Sequence, residues 1–142
     1  MSSHVTEIRL ALEDIIREAD GVNEVSAYPP MKVVKNGTVW VDNFSTQVRF
    51  GSPEVHVHTV TVICVANRAA ELAPALLATE PIIDSIMHEI RQHMDLGLGP
   101  TKVGHVQVLS YRHVPVLVGN VVHLGFDMTV EVTQLFRVDY TE

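Results

Sequence analysis

LGFDMTVEVTQLFRV, residues 124–138, alternates apolar and polar side chains along most of its length. Because a β-strand sends successive side chains to opposite faces, this pattern predicts a strand with one apolar face and one polar face. We expect Phe126, Met128 and Val130 to lie in the core, with Asp127 and Glu131 on the polar face. At about 3.4 Å per residue the strand is roughly 45 to 50 Å long, which leaves length to reach a neighbouring molecule.

The composition is typical of one globular domain. The 142 residues are 46% hydrophobic and 19% charged, so we expect a single domain with one core over residues 1–142. Ten Lys and Arg residues oppose 17 Asp and Glu residues, and the net charge of −7 disfavours tight binding to nucleic-acid phosphates. The sequence has no basic and apolar leader and no long apolar run, so we expect no signal peptide, no membrane span and folding in the cytosol.

Two segments carry helical periodicity. In the first, charged residues fill one side, and Glu13 and Arg17 are spaced to form an ion pair one turn apart. Its apolar side consists of Ile8, Leu12, Ile15, Ile16 and Ala19. The second helix is predicted to begin at residues 79–81, since proline suits a first turn, whereas Pro74 predicts a loop with a short helical turn over residues 67–79.

The first half of the chain also contains strand patterns. Residues 22–28 are predicted to form a short strand. The turn dipeptide Asn36-Gly37 before residues 38–41 predicts a β-hairpin. Residues 45–50 are predicted to form a further short strand. Residues 54–66 are apolar at both odd and even positions, which places that strand in the middle of a sheet.

The remaining strand signals complete the predicted fold. Residues 103–111 read as a strand, and residues 114–118 as an apolar connection or edge segment before the terminal strand. The fold class is therefore α+β: a mixed, mainly antiparallel β-sheet packed against two α-helices in a single domain.

The sequence offers few candidates for chemistry. His56 and His58 share a face of their strand, which is the spacing of a metal-ligand pair, but no third ligand is identifiable. Cys64 lies in an apolar run without an activating cation, so it is interpreted as a buried, inert thiol. We therefore expect no catalytic residue, no cofactor and no metal site, and we expect the two histidines to be replaceable together by glutamine without loss of folding.

The order of these elements resembles that of tail terminator proteins of long-tailed, siphovirus-like bacteriophages. The resemblance rests on the amphipathic helix ending at Asp20-Gly21, Pro29-Pro30 with the loop of residues 32–37, the strand of residues 55–66, the helix after Thr79, and GFDMTVEV of residues 125–132. It implies a structural virion protein, not an enzyme, that forms a homo-oligomeric ring, usually of six subunits, on the tail tube. Such a ring stops tube growth and joins the tube to the head-tail connector.

The resemblance also implies where the protein acts. It would be assembled in the host cytoplasm and reside in the tail or neck of the virion, with DNA passing through the ring lumen without specific binding. Related alternatives are a head completion or stopper protein and a tail tube protein. A different class is a small cytosolic α+β enzyme or ligand-binding domain, in which His56, His58 and Cys64 would be the residues to suspect.

Six residues are candidates for the interfaces of such a ring. The loop of residues 31–37 contains a local basic cluster and is a candidate docking loop, Trp40 is a core or interface anchor, and two carboxylates on the terminal strand are candidate acidic face residues. These residues are Lys32, Val33, Lys35, Trp40, Asp127 and Glu131.

Overall fold

A computed structural model describes residues 4–33, 35–51, 53–69, 72–99 and 103–136. Along them run two helices and five strands: α1 (His4–Arg17), β1 (Glu24–Ser26), β2 (Thr38–Arg49), β3 (Glu54–Ala69), α2 (Leu72–Gln92), β4 (His105–Val118) and β5 (Val121–Phe136). The five strands form one mixed sheet, which confirms the α+β fold class. The last two positions of the predicted terminal strand, 137 and 138, lie outside the described residues.

The sheet has the strand order β1-β2-β3-β5-β4. Strand β3 occupies its centre, as its two apolar faces predict, and pairs antiparallel with both β2 and β5. Strand β4 pairs antiparallel with β5 at one edge, and the short β1 pairs with β2 at the other. The last described strand, β5, therefore lies between the central strand and β4 and has a neighbour on each side.

The core lies between the two helices and one face of this sheet. Phe126, Met128 and Val130 of β5 are fully buried there, which confirms the face predicted from the alternation. The predicted apolar side of α1 is buried in the same cluster. Helix α2 adds Ile82, Ile83, Ile86 and Ile90. Burial of these side chains supplies the main stabilisation of the fold, at about 25 cal/mol per Å² of apolar surface removed from water.

The predicted hairpin at Asn36-Gly37 is wrong, because β1 and β2 run parallel. Gly37 adopts a positive φ of 75°, and a Cβ at this position would collide with the carbonyl oxygen of Gly21. The Asn23 N–H donates to the Gly37 carbonyl at 3.1 Å. The glycine therefore allows a close backbone crossing with the end of the first helix region, a long-range contact that a local turn signal does not reveal.

Two predicted breaks in the strands are also absent. Residues 45–50 do not begin a separate strand, because β2 continues to Arg49 through a bulge between Val41 and Asn43. Likewise β4 is one strand from His105 to Val118, and Pro115 lies within it. Proline is tolerated there because β4 is an edge strand, where one side of the backbone has no partner strand.

Helix α2 is longer than predicted. It begins at Leu72, so the loop expected over residues 67–79 is wrong for residues 67–69, which belong to β3, and for residues 72–79, which are helical; residues 70 and 71 lie outside the described residues. Pro74 lies in the first helical turn, where no N–H donor is needed. Pro81 lies inside the helix rather than at its start. The residues after it pack into the core, and their burial outweighs the lost backbone hydrogen bond.

The ion pairs of α1 differ from the predicted pairing of Glu13 with Arg17. Glu13 instead pairs with Arg9, one turn earlier, at 3.2 Å, and its side chain is buried. Arg17 pairs with Asp14 on the exposed side of the helix. An exposed pair of this kind contributes little stability, so α1 is held mainly by its apolar side.

Replacing Phe126 by alanine is expected to lower the free energy of unfolding by about 3–5 kcal/mol, because the substitution leaves a large cavity in the core. The measurement is urea unfolding followed by circular dichroism. Leu135→Ala on the same strand is the control, since that side chain is partly exposed and its truncation should cost far less. Equal losses from both variants would show that the helices do not cover the face assigned to them.

Candidate functional site

The face of the sheet turned away from the helices is its most polar continuous surface, and we call it the open face. It takes the side chains that alternate with the core positions along β2, β3, β5 and β4. Its exposed or partly exposed polar members include Asn43, Ser45, Gln47, Arg49, Thr59, Thr61, His105, Gln107, Ser110, Arg112, Asp127, Thr129, Glu131 and Thr133. The hydroxyl and amide groups of this face bind water readily, and apolar side chains lie between them, among them Val55, Val57, Ile63 and Leu135.

Strand register aligns these side chains in transverse rows. One row crosses β2, β3, β5 and β4, and each of its residues lies opposite the next: Asn43, Thr61, Thr129 and Ser110. Neighbouring strands lie about 4.8 Å apart, so such a row extends over roughly 14 Å. The rows at this level border a shallow hollow of about 480 Å³ between the bulges of β2 and β4. The hollow is open to solvent and does not enclose a small molecule.

The two predicted acidic residues lie on this face, but each has a partner. Both oxygens of Asp127 accept from Nε of Arg112, at 3.1 and 3.2 Å. An oxygen of Glu131 accepts from Nε2 of Gln107 at 3.0 Å. The open face is therefore less acidic than the carboxylates alone indicate, since one of them is neutralised by a guanidinium group.

The loop of residues 31–37 is not freely extended. Val33 is buried against Trp40, Val65 and Val118 in a second apolar cluster at one end of the open face. The loop reaches the turn between β4 and β5, where a Cβ at Gly119 would approach the carbonyl oxygen of Met31 at 2.6 Å. It thus spans the sheet from the β1 edge towards the β4 edge and closes one end of the open face.

The predicted interface residues therefore separate into three groups. Val33 and Trp40 are buried and act as anchors of the loop, and the Trp40 indole N–H has no hydrogen-bond partner within the described residues. Lys32 and Lys35 are exposed on the loop and accessible to a partner. The remaining two, both carboxylates, are partly exposed on the open face.

At each lateral edge of the described sheet, part of the edge strand has no neighbouring strand on its outer side. Within the described residues β4 pairs only with β5, so its outer edge is free from His105 to Val118. At the other edge β1 covers only Thr38, Val39 and Trp40, so in the part of the chain that the structure describes residues 43–49 of β2 have no partner strand on their outer side. Free strand edges are templates for pairing with another chain. Sequence reasoning missed them because they follow from strand order, which no local pattern encodes.

The histidine pair has structural roles in this molecule. His58 is fully buried, with its Nε2 2.7 Å from Oε1 of Gln134 and its Nδ1 2.8 Å from the Thr46 hydroxyl. The glutamine oxygen is an acceptor, so Nε2 is the donor of that bond. His56 lies on the same face, as predicted, and contacts Glu54 at 2.8 Å. The described residues contain no group of three side chains suited to hold a metal ion.

Cys64 is buried in the core beneath the helices. Burial raises the pKa of its thiol, because a thiolate would lose its hydration there. The thiol is therefore protonated at neutral pH and inaccessible to a substrate, in agreement with the inert role predicted for it.

No protein-family model matches the chain, and no curated protein matches it. Neither helix of the described residues has the length and apolar character required to cross a membrane.

The expectation that both histidines are replaceable does not fit the structure, because His58 satisfies a buried glutamine. His58→Ala is expected to destabilise the protein by about 1–3 kcal/mol, the cost of leaving Gln134 without its hydrogen bond. His56→Ala is the matched control on the same strand and should cost less, since its partner Glu54 retains access to water. Urea unfolding of both variants measures the difference, and equal stabilities would exclude a buried network around His58.

Proposed function

We propose that this protein is a structural virion protein, a tail terminator that caps the bacteriophage tail tube as a closed ring and joins it to the head-tail connector. The observation that carries the proposal is one sheet with a polar open face and two unpaired edges. The resemblance in element order agrees with it. In this role the chain acts by assembly, in the tail or neck, rather than by catalysis.

The strand directions support joining of copies edge to edge. From β2 through β3 and β5 to β4, each strand runs opposite to its neighbour. In a ring whose strands follow the ring axis, the β4 edge of one copy meets the β2 edge of the next, and these two strands also run in opposite directions. The junction therefore continues the antiparallel pattern. Because the contact is head-to-tail, it closes into a ring when the rotation between copies allows. The resemblance in element order implies six subunits as the usual number in that ring.

The open face suits the lumen of such a ring. With the helices on one side of the sheet, the other side is available to face inward, and it is lined with hydroxyl and amide groups. A lumen wall must be hydrated and must not hold the DNA that passes through it, because each cation paired with a phosphate strengthens binding. The formal net charge of −7 meets the same requirement at longer range.

Both ends of the sheet carry exposed apolar groups that suit contacts along the ring axis. Phe50 lies at the turn between β2 and β3, and Leu117 lies beside the turn between β4 and β5; both side chains are highly exposed. We assign one of these ends to the tube and the other to the connector protein.

Introducing lysine on the free edge of β4 is expected to prevent ring formation, because a charged edge blocks strand pairing. Leu109 and Tyr111 are 48% and 50% exposed there, so Leu109→Lys with Tyr111→Lys should leave the folded monomer stable. Leu10→Lys on α1 is the matched control, since that side chain is 47% exposed and lies away from the sheet edge.

Native mass spectrometry and negative-stain images of concentrated protein measure the outcome. The wild type and Leu10→Lys should form rings with a central hole, and the double variant should remain monomeric. A wild type that stays monomeric at every concentration would contradict the ring, and long stacks of rings would favour a tail tube protein over a terminator.

A further inference from the structure

The ion pair between Arg112 and Asp127 lies on the β4 side of the open face, about midway along β4 and β5. The register places the two residues opposite each other on β4 and β5, and Ile63 lies on the far side of Asp127. The Arg112 side chain is 76% exposed, whereas that of Asp127 is 18% exposed. The carboxylate is thus set into the face, and the guanidinium group lies above it towards solvent.

Arg112 is unusual for its position. Along the described strands the open face carries two arginines, Arg49 and Arg112, and no lysine. Arg49 is the last residue of β2 and lies at the end of the sheet, but Arg112 lies near the middle of β4. An exposed guanidinium group is well suited to bind phosphate oxygens, and a ring would repeat it once in every subunit.

We propose that Asp127 acts as a charge-masking residue, which neutralises Arg112 so that the inner wall of the ring does not retain duplex DNA. This inference rests on the proposed function, because it assumes that the open face lines the lumen. Its physical basis is that the paired carboxylate cancels the local positive charge and competes with phosphate for the Nε donor. Arg112 in turn holds the half-buried carboxylate, so the pair keeps the face polar without net charge.

Glu131 provides the matched control. It lies on the same face of the same strand, four residues further along, but its partner is the neutral side chain of Gln107. Removing its charge changes the net charge of the face by the same amount as removing that of Asp127, yet it exposes no cation.

The test compares duplex binding by the full-length wild type with Asp127→Asn, Glu131→Gln and the double variant Asp127→Asn with Arg112→Gln. Asparagine keeps the size and an acceptor oxygen, and Asp127 is not in the apolar core, so each protein should fold; thermal unfolding checks this. The probe is a fluorescein-labelled duplex of mixed sequence, and fluorescence anisotropy is measured at low and at physiological salt.

Asp127→Asn is expected to bind the duplex at least about tenfold more tightly than the wild type at low salt, with a steeper loss of affinity as salt rises. The double variant and Glu131→Gln should resemble the wild type. No gain for Asp127→Asn would overturn the proposal, and so would an equal gain for Glu131→Gln, which would make overall charge the cause. Native mass spectrometry of the same samples shows whether each protein forms a ring. A protein that forms no ring contradicts the proposed function, whereas unchanged duplex affinity of Asp127→Asn contradicts the masking role, so the two failures are distinguishable.

Discussion

The pairing of β5 with β3, together with burial of one face of both strands under the helices, is the constraint on which the rest of the structure depends. Their uninterrupted ladder extends from Glu54 opposite Phe136 to Val65 opposite Gly125, and after an irregularity Ala69 pairs with His123. Because side chains alternate, a slip of one residue would move Phe126 and its neighbours to the polar side and bring Asp127 and Glu131 into the core. The core thus fixes the register, and the register fixes the composition of the open face.

The parts of the fold that the sequence predicts are those in which one local pattern and one burial requirement agree. The alternation in β5, the apolar side of α1 and the two-sided apolar character of β3 are of this kind. The signals that misled are single residues with strong local preferences. Asn36-Gly37 favours a hairpin and Pro81 favours a helix start, but a backbone crossing at Gly37 and core packing after Pro81 override them.

The candidate site follows the same division. Alternation alone places Asp127 and Glu131 on the polar face, and the sequence identifies them. Their partners, Arg112 and Gln107, belong to β4. The sequence pattern does not predict that β4 lies beside β5 with Arg112 opposite Asp127, because strand order and register depend on contacts between distant segments. The free edges escape prediction for the same reason. Val33 shows the converse case, because a residue inside a basic, turn-rich loop is buried by contacts with three distant segments.

The buried hydrogen-bond network around His58 fixes the strand register in the half of the sheet that contains β2 beyond residue 42. Beyond the bulge at residue 42, the side chains of β2 are mostly exposed, so apolar burial contributes little to its position there. The hydrogen bonds from His58 to Thr46 and to Gln134 connect β2, β3 and β5 in this region. Since a shift of any of these strands would leave a buried polar group unpaired, the network penalises other registers more than it stabilises the native one. The free edge of β2 lies in this same half, so the polar network holds in place the strand that the proposed ring uses to join its neighbour.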